Sequence, residues 1–303
     1  MSAPLTAVDL FAGAGGLALG TERAGFRHAL LAEWDHDACE TLRLNPEHPE
    51  WRDVVVEGDV RDVDFTAYRG VDLIAGGPPC QSFSMAGRRK LGKAALNMFP
   101  AAVQAIADAR PRAVLLENVT GLVKGDARAY FDRVLAQIEG LGYRVRWDVL
   151  NAADHGVPQL RERVITVAFR NDVDARWEWP APTWPRRTIR EALAGLPPQE
   201  WPDPSVLEQD HRQAFATVQD RDADAPARTI STLWAGALVR EPGRRVRVLS
   251  IPEIARLQTF PDGWPFAGTP DSQLRQLGNA VPVNLARALA GAVARALGRA
   301  PRL

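Results

Sequence analysis

Seven short runs of apolar and β-branched residues predict strands in the first 170 residues. They lie at 6–11, 28–33, 54–60, 71–76, 113–119, 143–151 and 163–169. Each run is nearly continuous in apolar character, as expected of strands that are covered on both faces. Helical patterns lie between several of them, at 16–25, 36–45, 97–110 and 127–140. This alternation predicts an α/β fold with a doubly wound, mostly parallel sheet.

The pattern changes after residue 170. Residues 171–227 hold eight prolines and four of the nine tryptophans, without a clear period. Helical patterns resume at 251–259 and from Pro282 to Leu297, where Pro282 suits a first turn and Gly298 a stop. We therefore predict two domains: residues 1–170 plus 249–303 form the larger one, and residues 171–248 form a small domain that is irregular or β in character.

Composition narrows the class of protein. Lys+Arg and Asp+Glu both number 37, so the chain is not a generally basic nucleic-acid coat, although a local basic groove stays open. No apolar run reaches the roughly 18–20 residues of a membrane span, and no cationic stretch precedes the first predicted strand. Two cysteines are too few for a disulfide scaffold or a Cys-based zinc site. We expect a cytoplasmic protein without a metal and without a membrane segment.

Unusual residues follow five consecutive predicted strands. In an open α/β sheet, ligands bind beyond the carboxyl ends of the strands. The segments found there are Asp9–Gly16, Glu33–Trp34, Asp59–Val60, Gly76–Gln81 and Glu117–Val119. All carry polar, Gly/Pro or thiol residues, which predicts one site along this edge.

Part of that edge suits an adenosine-containing cofactor. Glu33 lies 18 residues after Gly15, about where a carboxylate takes the ribose hydroxyls of such a ligand. Trp34 offers a ring face to adenine, and Asp59 can accept a hydrogen bond from its amino group. The glycine spacing is not that of a dinucleotide-binding loop, and no phosphate-binding lysine follows it. The alternative is a structural tight turn, with strand-end acids and a core aromatic beside it.

The two cysteines suit different roles. Cys80 follows two prolines at the same edge of the sheet, and a rigid backbone favours a preorganised nucleophile. A lone cysteine is more often a buried hydrophobe, and that interpretation fits Cys39, which lies within a helical run.

Ordered motifs along nearly the whole chain resemble those of the DNA cytosine-5 methyltransferases of bacterial type. They are DLFAGAGG (9–16), GPPCQSFS (77–84), ENV (117–119), QLRER (159–163), RVLSIPEIARLQTFPD (247–262) and QLGNAVP (276–282). The resemblance implies a fold of the S-adenosylmethionine-dependent methyltransferase type and transfer of a methyl group to C5 of a flipped-out cytosine. The final motif departs from the family pattern, because Val283 follows Pro282 where a second proline is usual.

The resemblance also implies roles for individual residues. Cys80 would add to C6 of the ring, Glu117 would act as the general acid at N3, and Arg163 would hold O2. Arg161 would support a nearby phosphate or the loop geometry. The cofactor S-adenosyl-L-methionine would be bound by Asp9, Phe11, Gly13, Gly15, Gly16, Glu33, Trp34, Asp59, Val60, Pro78, Asn279 and Val281.

DNA recognition is the part that the family pattern leaves least complete. The distance from QLRER to RVLS leaves little room for a recognition domain, which predicts a short site or help from a partner. Residues 171–227 carry eleven acids against six arginines, whereas residues 228–248 carry five arginines against one glutamate. We place the DNA-reading element in 228–248, because phosphate contacts require cations. The predicted DNA-binding residues are Gln81, Ser82, Ser84, Arg88, Arg89, Arg228, Thr229, Arg244 and Arg245. The alternative is a hairpin that only completes the small domain.

Three other functions stay open at this point. A tRNA cytosine-5 methyltransferase would reuse the same framework, although the Cys-Phe-Thr signature associated with such enzymes is absent. A non-catalytic subunit would bind cofactor or DNA for a partner, but Cys80, Glu117 and Arg163 are all in place. A nicotinamide oxidoreductase would have no use for PPCQ and ENV. We expect an enzyme that acts as a monomer on duplex DNA, with a restriction endonuclease as its partner.

Overall fold

The computed structural model describes residues 4–45, 47–79, 97–183, 185–196, 223–232, 238–240 and 246–298, with only the backbone for 238–240 and 246–247. Its largest sheet has seven strands in the order β3-β2-β1-β4-β5-β8-β6. These strands are β1 Leu5–Leu10, β2 Phe26–Glu33, β3 Val55–Glu57, β4 Leu73–Gly76, β5 Ala113–Val119, β6 Tyr143–Asn151 and β8 Glu162–Arg170. Strands β1 to β5 are parallel to one another, and β8 is antiparallel to both β5 and β6. This confirms the predicted mostly parallel α/β sheet.

Helices cover both faces of the sheet. The helices of the described chain are α1 Gly16–Arg23, α2 His36–Arg43, α3 Phe99–Ala109, α4 Ala127–Gly140, α5 Ile189–Leu193, α6 Ile251–Leu257, α7 Pro270–Asn279 and α8 Val283–Ala296. Side chains of β5 alternate between the faces, because successive residues of a strand point to opposite sides. Val114 and Leu116 pack in the core with α3 and α4, whereas Leu115 packs in the core with α8.

A third core lies beside the sheet and joins the predicted small domain to the larger one. It gathers buried residues of α2, α5, α6 and α7 around Ile230. Two further strand pairs belong to this side: β7 Gln159–Leu160 runs parallel to β9 Ala227–Arg228, and β10 Leu238–Arg240 runs antiparallel to β11 Val246–Val248. The described parts of 171–248 thus pack closely on the larger unit, and the domain boundaries remain a prediction.

The observed elements differ from the predicted ones in a few places. All seven predicted strands are present, although β3 is shorter than the run at 54–60. Helices α5 and α7 were not predicted. Pro282 is the residue that precedes α8 and not part of its first turn, while Gly298 ends the helix with a positive φ of 82°. None of the helices within the described ranges combines the length and apolar character needed to cross a membrane.

Candidate active site

The glycine-rich loop after β1 is tied to the end of β2 through one carboxylate. Glu33 accepts hydrogen bonds from three main-chain N–H groups: that of Gly13 at 2.8 Å, and those of Trp34 and Asp35 at 2.8 Å each. Burial raises the pKa of the Glu33 carboxyl, although these three donors oppose the shift. Glu33 therefore fixes the loop from below and leaves lone pairs for a further donor.

The same loop meets the last predicted motif. A side chain at Gly16 would place its Cβ only 2.2 Å from the carbonyl oxygen of Val281, so only glycine allows this approach. Val281 is buried and Asn279, the last residue of α7, is exposed beside it. Segments separated by more than 260 residues in the chain thus form one wall of the site.

An open-sided cleft of about 440 Å³ lies at the ends of β1, β2, β3 and β4. Its lining residues are Phe11, Ala32, Glu33, Trp34, Gly58, Asp59, Val60, Arg61, Pro79 and Met98. Five of the residues predicted to bind the cofactor are therefore together: Phe11, Glu33, Trp34, Asp59 and Val60. Trp34 is 66% exposed, so much of a large aromatic side chain is accessible at the cleft.

Arg61 is a residue of the cleft that the sequence analysis missed. Its guanidinium forms a bidentate ion pair with Asp59, with Nε 2.9 Å from Oδ1 and 3.0 Å from Oδ2. Hydrogen bonds from this side chain and from the Arg61 main chain lower the pKa of Asp59 to about 2. Asp59 is thus a fixed, ionised acceptor at the rim. Asp59 and Arg61 are two residues apart, so the sequence allows this ion pair. The position of the pair at the cleft depends on the fold.

Asp9 lies beneath the loop and is not part of the cleft lining. It is 0% exposed, and neither of its carboxyl oxygens has a hydrogen-bond partner among the described residues. Burial, together with the neighbouring Glu33, raises the pKa of Asp9 well above its ordinary value. Contact between Asp9 and a ligand in the cleft would be indirect, through the loop that it supports.

Glu117 and Arg163 form an ion pair at the end of β5. Their strands are neighbours in the sheet, where Val119 pairs with Arg163 and Glu117 with Ile165. Arg163 Nε lies 2.8 Å from Glu117 Oε1, but the N–H is not aimed at that oxygen well enough for a hydrogen bond. Glu117 is only 8% exposed. The pair places a carboxyl and a guanidinium side by side, and the carboxyl oxygen retains capacity for a well-aligned partner.

The chain that leads to Cys80 is anchored beside this pair. Asn118 donates its side-chain N–H to the carbonyl oxygen of Pro78 at 2.8 Å, and the carbonyl of Pro79 accepts from Met98 N at 3.0 Å. A Cβ at Gly77 would lie 3.5 Å from Glu117 Oε2. The motif residue Asn118 thus holds Pro78, one of the predicted cofactor residues, at the side of Glu117. Cys80, Gln81, Ser82, Ser84, Arg88 and Arg89 lie outside the described residues.

Cys39 is buried within α2, and its thiol donates to the carbonyl oxygen of Glu33, with Sγ 3.4 Å away. Burial and the nearby carboxylate of Glu33 raise the pKa of this thiol to about 12. Because the thiolate is the reactive form, Cys39 is not a nucleophile at neutral pH.

Arg161 meets the described part of residues 228–248, the predicted recognition stretch, away from the cleft. Arg161 donates to the main-chain carbonyls of Ile230 and Gly278, and its contacts thus concern loop geometry. Arg228 is exposed in β9, and the hydroxyl of Thr229 donates to the carbonyl of Leu160 at 2.8 Å. Arg244 and Arg245 lie outside the described residues.

Comparisons with known proteins identify the family of the chain. Residues 5–225 and 208–295 match the family of C-5 cytosine-specific DNA methylases. The chain is 38% identical to the Type II methyltransferase M.NgoMIV of Neisseria gonorrhoeae, over 96% of this chain and 98% of the relative. It is also 38% identical to the Type II methyltransferase M.Eco47II of Escherichia coli, over 95% of this chain and 78% of the relative.

A solved structure, the Dnmt2 methyltransferase of S. pombe, has the same fold with a TM-score of 0.75. It is 20% identical and covers 97% of this chain and 99% of its own. The family match decides among the functions left open by the sequence, in favour of a DNA-modifying enzyme. The chain belongs to the C-5 cytosine-specific DNA methylases, and it transfers a methyl group to C5 of cytosine in DNA.

Proposed function

We propose that the methyl donor is S-adenosyl-L-methionine and that the cleft beside Trp34 holds it. The exposed Trp34 ring offers a stacking face for adenine, and Glu33 and Asp59 offer carboxylate oxygens for its hydroxyl and amino groups. Phe11 and Val60 line the apolar part. A second wall of the proposed site consists of the glycines at 13, 15 and 16 together with Asn279 and Val281. When bound, the cofactor supplies the methyl group for C5.

We propose that Cys80 is the nucleophile and that Glu117 and Arg163 hold the target ring. The observation that carries this proposal is the Glu117–Arg163 pair beside the anchored Pro78–Pro79 segment, since the residue after Pro79 is Cys80. The thiolate forms a bond to C6 while Glu117 delivers a proton to N3, which avoids a ring anion. Arg163 donates to O2 with its planar fork of N–H groups.

The later steps return the protein to its starting state. Once C5 carries the methyl group, its proton leaves to a base and the electron pair of that C–H bond forms the C5–C6 double bond. The bond between sulfur and C6 breaks, so that Cys80 regains its electron pair as a thiolate. Glu117 takes back the N3 proton. The product is 5-methylcytosine, and the thiolate is ready for another cycle.

We propose that the substrate is duplex DNA and that the target cytosine leaves the stack, because C6 is hidden within a duplex. Residues 228–248 read the site, with further contacts from the basic residues after Cys80. The enzyme acts as a monomer in the cytoplasm. The names of its relatives, which are Type II methyltransferases, support a role in restriction-modification beside a partner endonuclease.

A duplex that contains 5-fluorocytosine tests the catalytic assignment, since fluorine cannot leave as a proton and the covalent complex is trapped. With S-adenosylmethionine present, mass spectrometry should find the adduct on Cys80. Cys39→Ala should trap as wild type does, whereas Cys80→Ala should neither trap nor methylate but should bind the cofactor normally. Trp34→Ala should weaken cofactor binding about tenfold, within the range for removal of a stacking aromatic ring. An adduct on Cys39, or on no cysteine, would overturn the proposal.

A further inference from the structure

A buried polar network ties the QLRER segment to the recognition stretch. Gln159 accepts from the main-chain N–H of Ile230 at 2.9 Å and donates to the side chain of Gln258 at 3.0 Å. Arg161 donates through Nη1 to the Ile230 carbonyl at 3.1 Å. The two side chains thus bind both main-chain groups of Ile230.

The other half of the Arg161 guanidinium binds α7, the helix that carries the QLGNAVP motif. Nη2 donates to the carbonyl of Gly278 at 3.0 Å. A Cβ at Gly278 would lie 2.5 Å from the carbonyl carbon and oxygen of Ser231 and 2.6 Å from Thr232 N. The recognition stretch therefore crosses α7 so closely that only glycine fits at position 278. Arg161 donates to both segments at that crossing.

Arg161 is an unusual choice for a purely structural contact. It is 1% exposed, and its described hydrogen bonds go to two neutral carbonyls. A buried charge without a close counter-ion is costly, and an apolar side chain of similar size is often at least as stable. The fork geometry of arginine, however, fixes two acceptors at once.

Arg161 is also two residues from Arg163, the partner of Glu117. Between them, Glu162 begins β8, so the segment that grips the recognition stretch continues directly into the strand that holds the base. A shift at the crossing would therefore change how residues 228–232 lie relative to the target base.

We propose that Arg161, with Gln159, is a positioning residue that fixes residues 228–232 of the recognition stretch against the base-holding pair Glu117–Arg163. The inference rests on the proposed function, in which that stretch reads DNA and that pair holds the cytosine. It assigns to Arg161 a role in where and how tightly DNA is bound, and none in the binding of the methyl donor.

Two independent changes disturb the crossing. Arg161→Met removes the fork, and Gly278→Ala inserts a methyl group against Ser231 without touching Arg161. Both should raise KM for DNA, Arg161→Met by about tenfold to a hundredfold, the range for losing charge-assisted hydrogen bonds. Both should relax site selectivity in bisulfite sequencing and leave the Kd for S-adenosylmethionine within about twofold. Arg161→Lys, which reaches one carbonyl, should restore part of the loss.

Matched controls come from two other elements, β6 and α8. Arg144 also donates to two main-chain carbonyls, those of Asn171 at 3.0 Å and Val173 at 2.7 Å. Gly291 is a helical glycine whose added Cβ would come no nearer than 3.7 Å to the Arg295 side chain. Arg144→Met and Gly291→Ala should keep KM and selectivity at wild-type values, whatever they do to thermal stability.

The proposal is overturned if Gly278→Ala has the DNA KM and selectivity of wild type. It is also overturned if Arg161→Met loses DNA and cofactor binding in equal measure, as a general loss of structure would. If Arg161→Met does not fold, Gly278→Ala decides. The double variant Arg244→Ala with Arg245→Ala distinguishes failure of the proposed function from failure of this inference. Full DNA affinity there refutes the recognition assignment, whereas normal weakening there with unaffected crossing variants refutes this inference alone.

Discussion

The catalytic edge and the recognition stretch are held in place by different means. At the edge, Glu33 and Glu117 lie at the ends of strands in the seven-stranded sheet, where neighbouring strands fix their positions through main-chain hydrogen bonds. Residues 228–232 of the recognition stretch are held by the short β7–β9 pairing, by the Thr229 hydroxyl on Leu160 and by the side chains of Gln159 and Arg161.

The contrast shows that the residues of the two regions owe their positions to different structural features. Positions at the edge follow from the topology, so any chain with this sheet order places its strand ends together. Positions in the recognition stretch depend on single side chains from distant segments. We expect substitutions at the edge to slow methyl transfer without weakening DNA binding. Substitutions in the recognition stretch should weaken DNA binding without slowing methyl transfer.

Among changes that leave the Cys80 nucleophile in place, the largest effect is expected from Glu117→Gln, which should slow catalysis without weakening DNA binding. An amide can accept a hydrogen bond but cannot deliver the proton to N3, so the single-turnover rate should fall about 10²–10⁴-fold. DNA affinity should change far less. Rapid-quench measurement with excess enzyme gives the rate, and a filter-binding titration gives the affinity.

Glu162→Gln is the matched control, because Glu162 is exposed and adjacent to Arg163. It should have the rate of wild type. A Glu117→Gln rate within about threefold of wild type would contradict the role of Glu117 as general acid.

The double variant Arg244→Ala with Arg245→Ala should have the opposite effect, a loss of DNA binding without a loss of rate. Loss of two cations should weaken DNA binding and lower the slope of log K against log salt by up to about 0.9 for each phosphate that is no longer neutralised. The rate at saturating DNA should stay near that of wild type. Fluorescence anisotropy at a series of salt concentrations measures both the affinity and the slope.

Asp220, Asp222 and Asp224 provide the comparison for these arginines. Their combined replacement by Asn should leave affinity and salt slope unchanged. If that triple variant loses site selectivity while the arginine pair keeps full affinity at every salt concentration, the recognition element has been placed in the wrong segment.

Particular residues show how far the sequence could predict the molecule. The strand ends were found because their apolar runs are continuous and their polar residues follow at once. Helix α7 was missed because its buried polar residues are satisfied by α2. Gln276 accepts from Thr41 at 2.7 Å, although the two are 235 residues apart. Helix α5 left a local signal, the capping box of Thr188 and Glu191.

The site was predictable to a similar degree. Glu33, Trp34 and Asp59 were identified by their places after strands, and the cleft brings them together. Arg61 was not predicted because exposed arginines are common. Its pairing with Asp59 is local, but the position of the pair at the cleft depends on the fold. The hydrogen bonds of Arg161 with Ile230 and Gly278 span 69 and 117 residues, and no local pattern encodes them.

The smallest effect is expected from a change at Asp9, the buried carboxyl next to the glycine-rich loop. Burial raises the pKa of Asp9, so the folded protein holds this proton to higher pH than the unfolded chain does. Stability should therefore fall as pH rises from about 4, the unfolded value, through the raised folded value. Asp9→Asn is neutral throughout, and its Tm relative to wild type should rise with pH by a few degrees, at about 2–4 °C per kcal/mol.

Asp64→Asn provides a control of opposite sign. Asp64 accepts hydrogen bonds from the Thr66 hydroxyl and main chain, which lower its pKa. Its stabilising effect is present above the unfolded pKa and is lost on acidification, so this variant should fall behind wild type as pH rises. Calorimetry without cofactor measures both trends, from about pH 5 to 8 for Asp9→Asn and from about pH 3 to 5 for Asp64→Asn, because a lowered pKa changes stability only near and below the unfolded value of about 4. A flat difference for Asp9→Asn would contradict the buried, protonated state.

The close approach of Gly16 to Val281 has a consequence for synthesis of the protein. Helix α1, which follows the glycine loop, packs on α8, where Gly20 abuts Ala286. The ribosome releases the glycine loop well over 200 residues before α8, and contacts so distant in sequence form late. The nascent chain must keep the apolar face of α1 exposed until residues 283–296 emerge. We therefore expect methyl-donor binding to arise only after residues 283–296 have emerged from the ribosome, which delays the enzyme's first action on DNA until then.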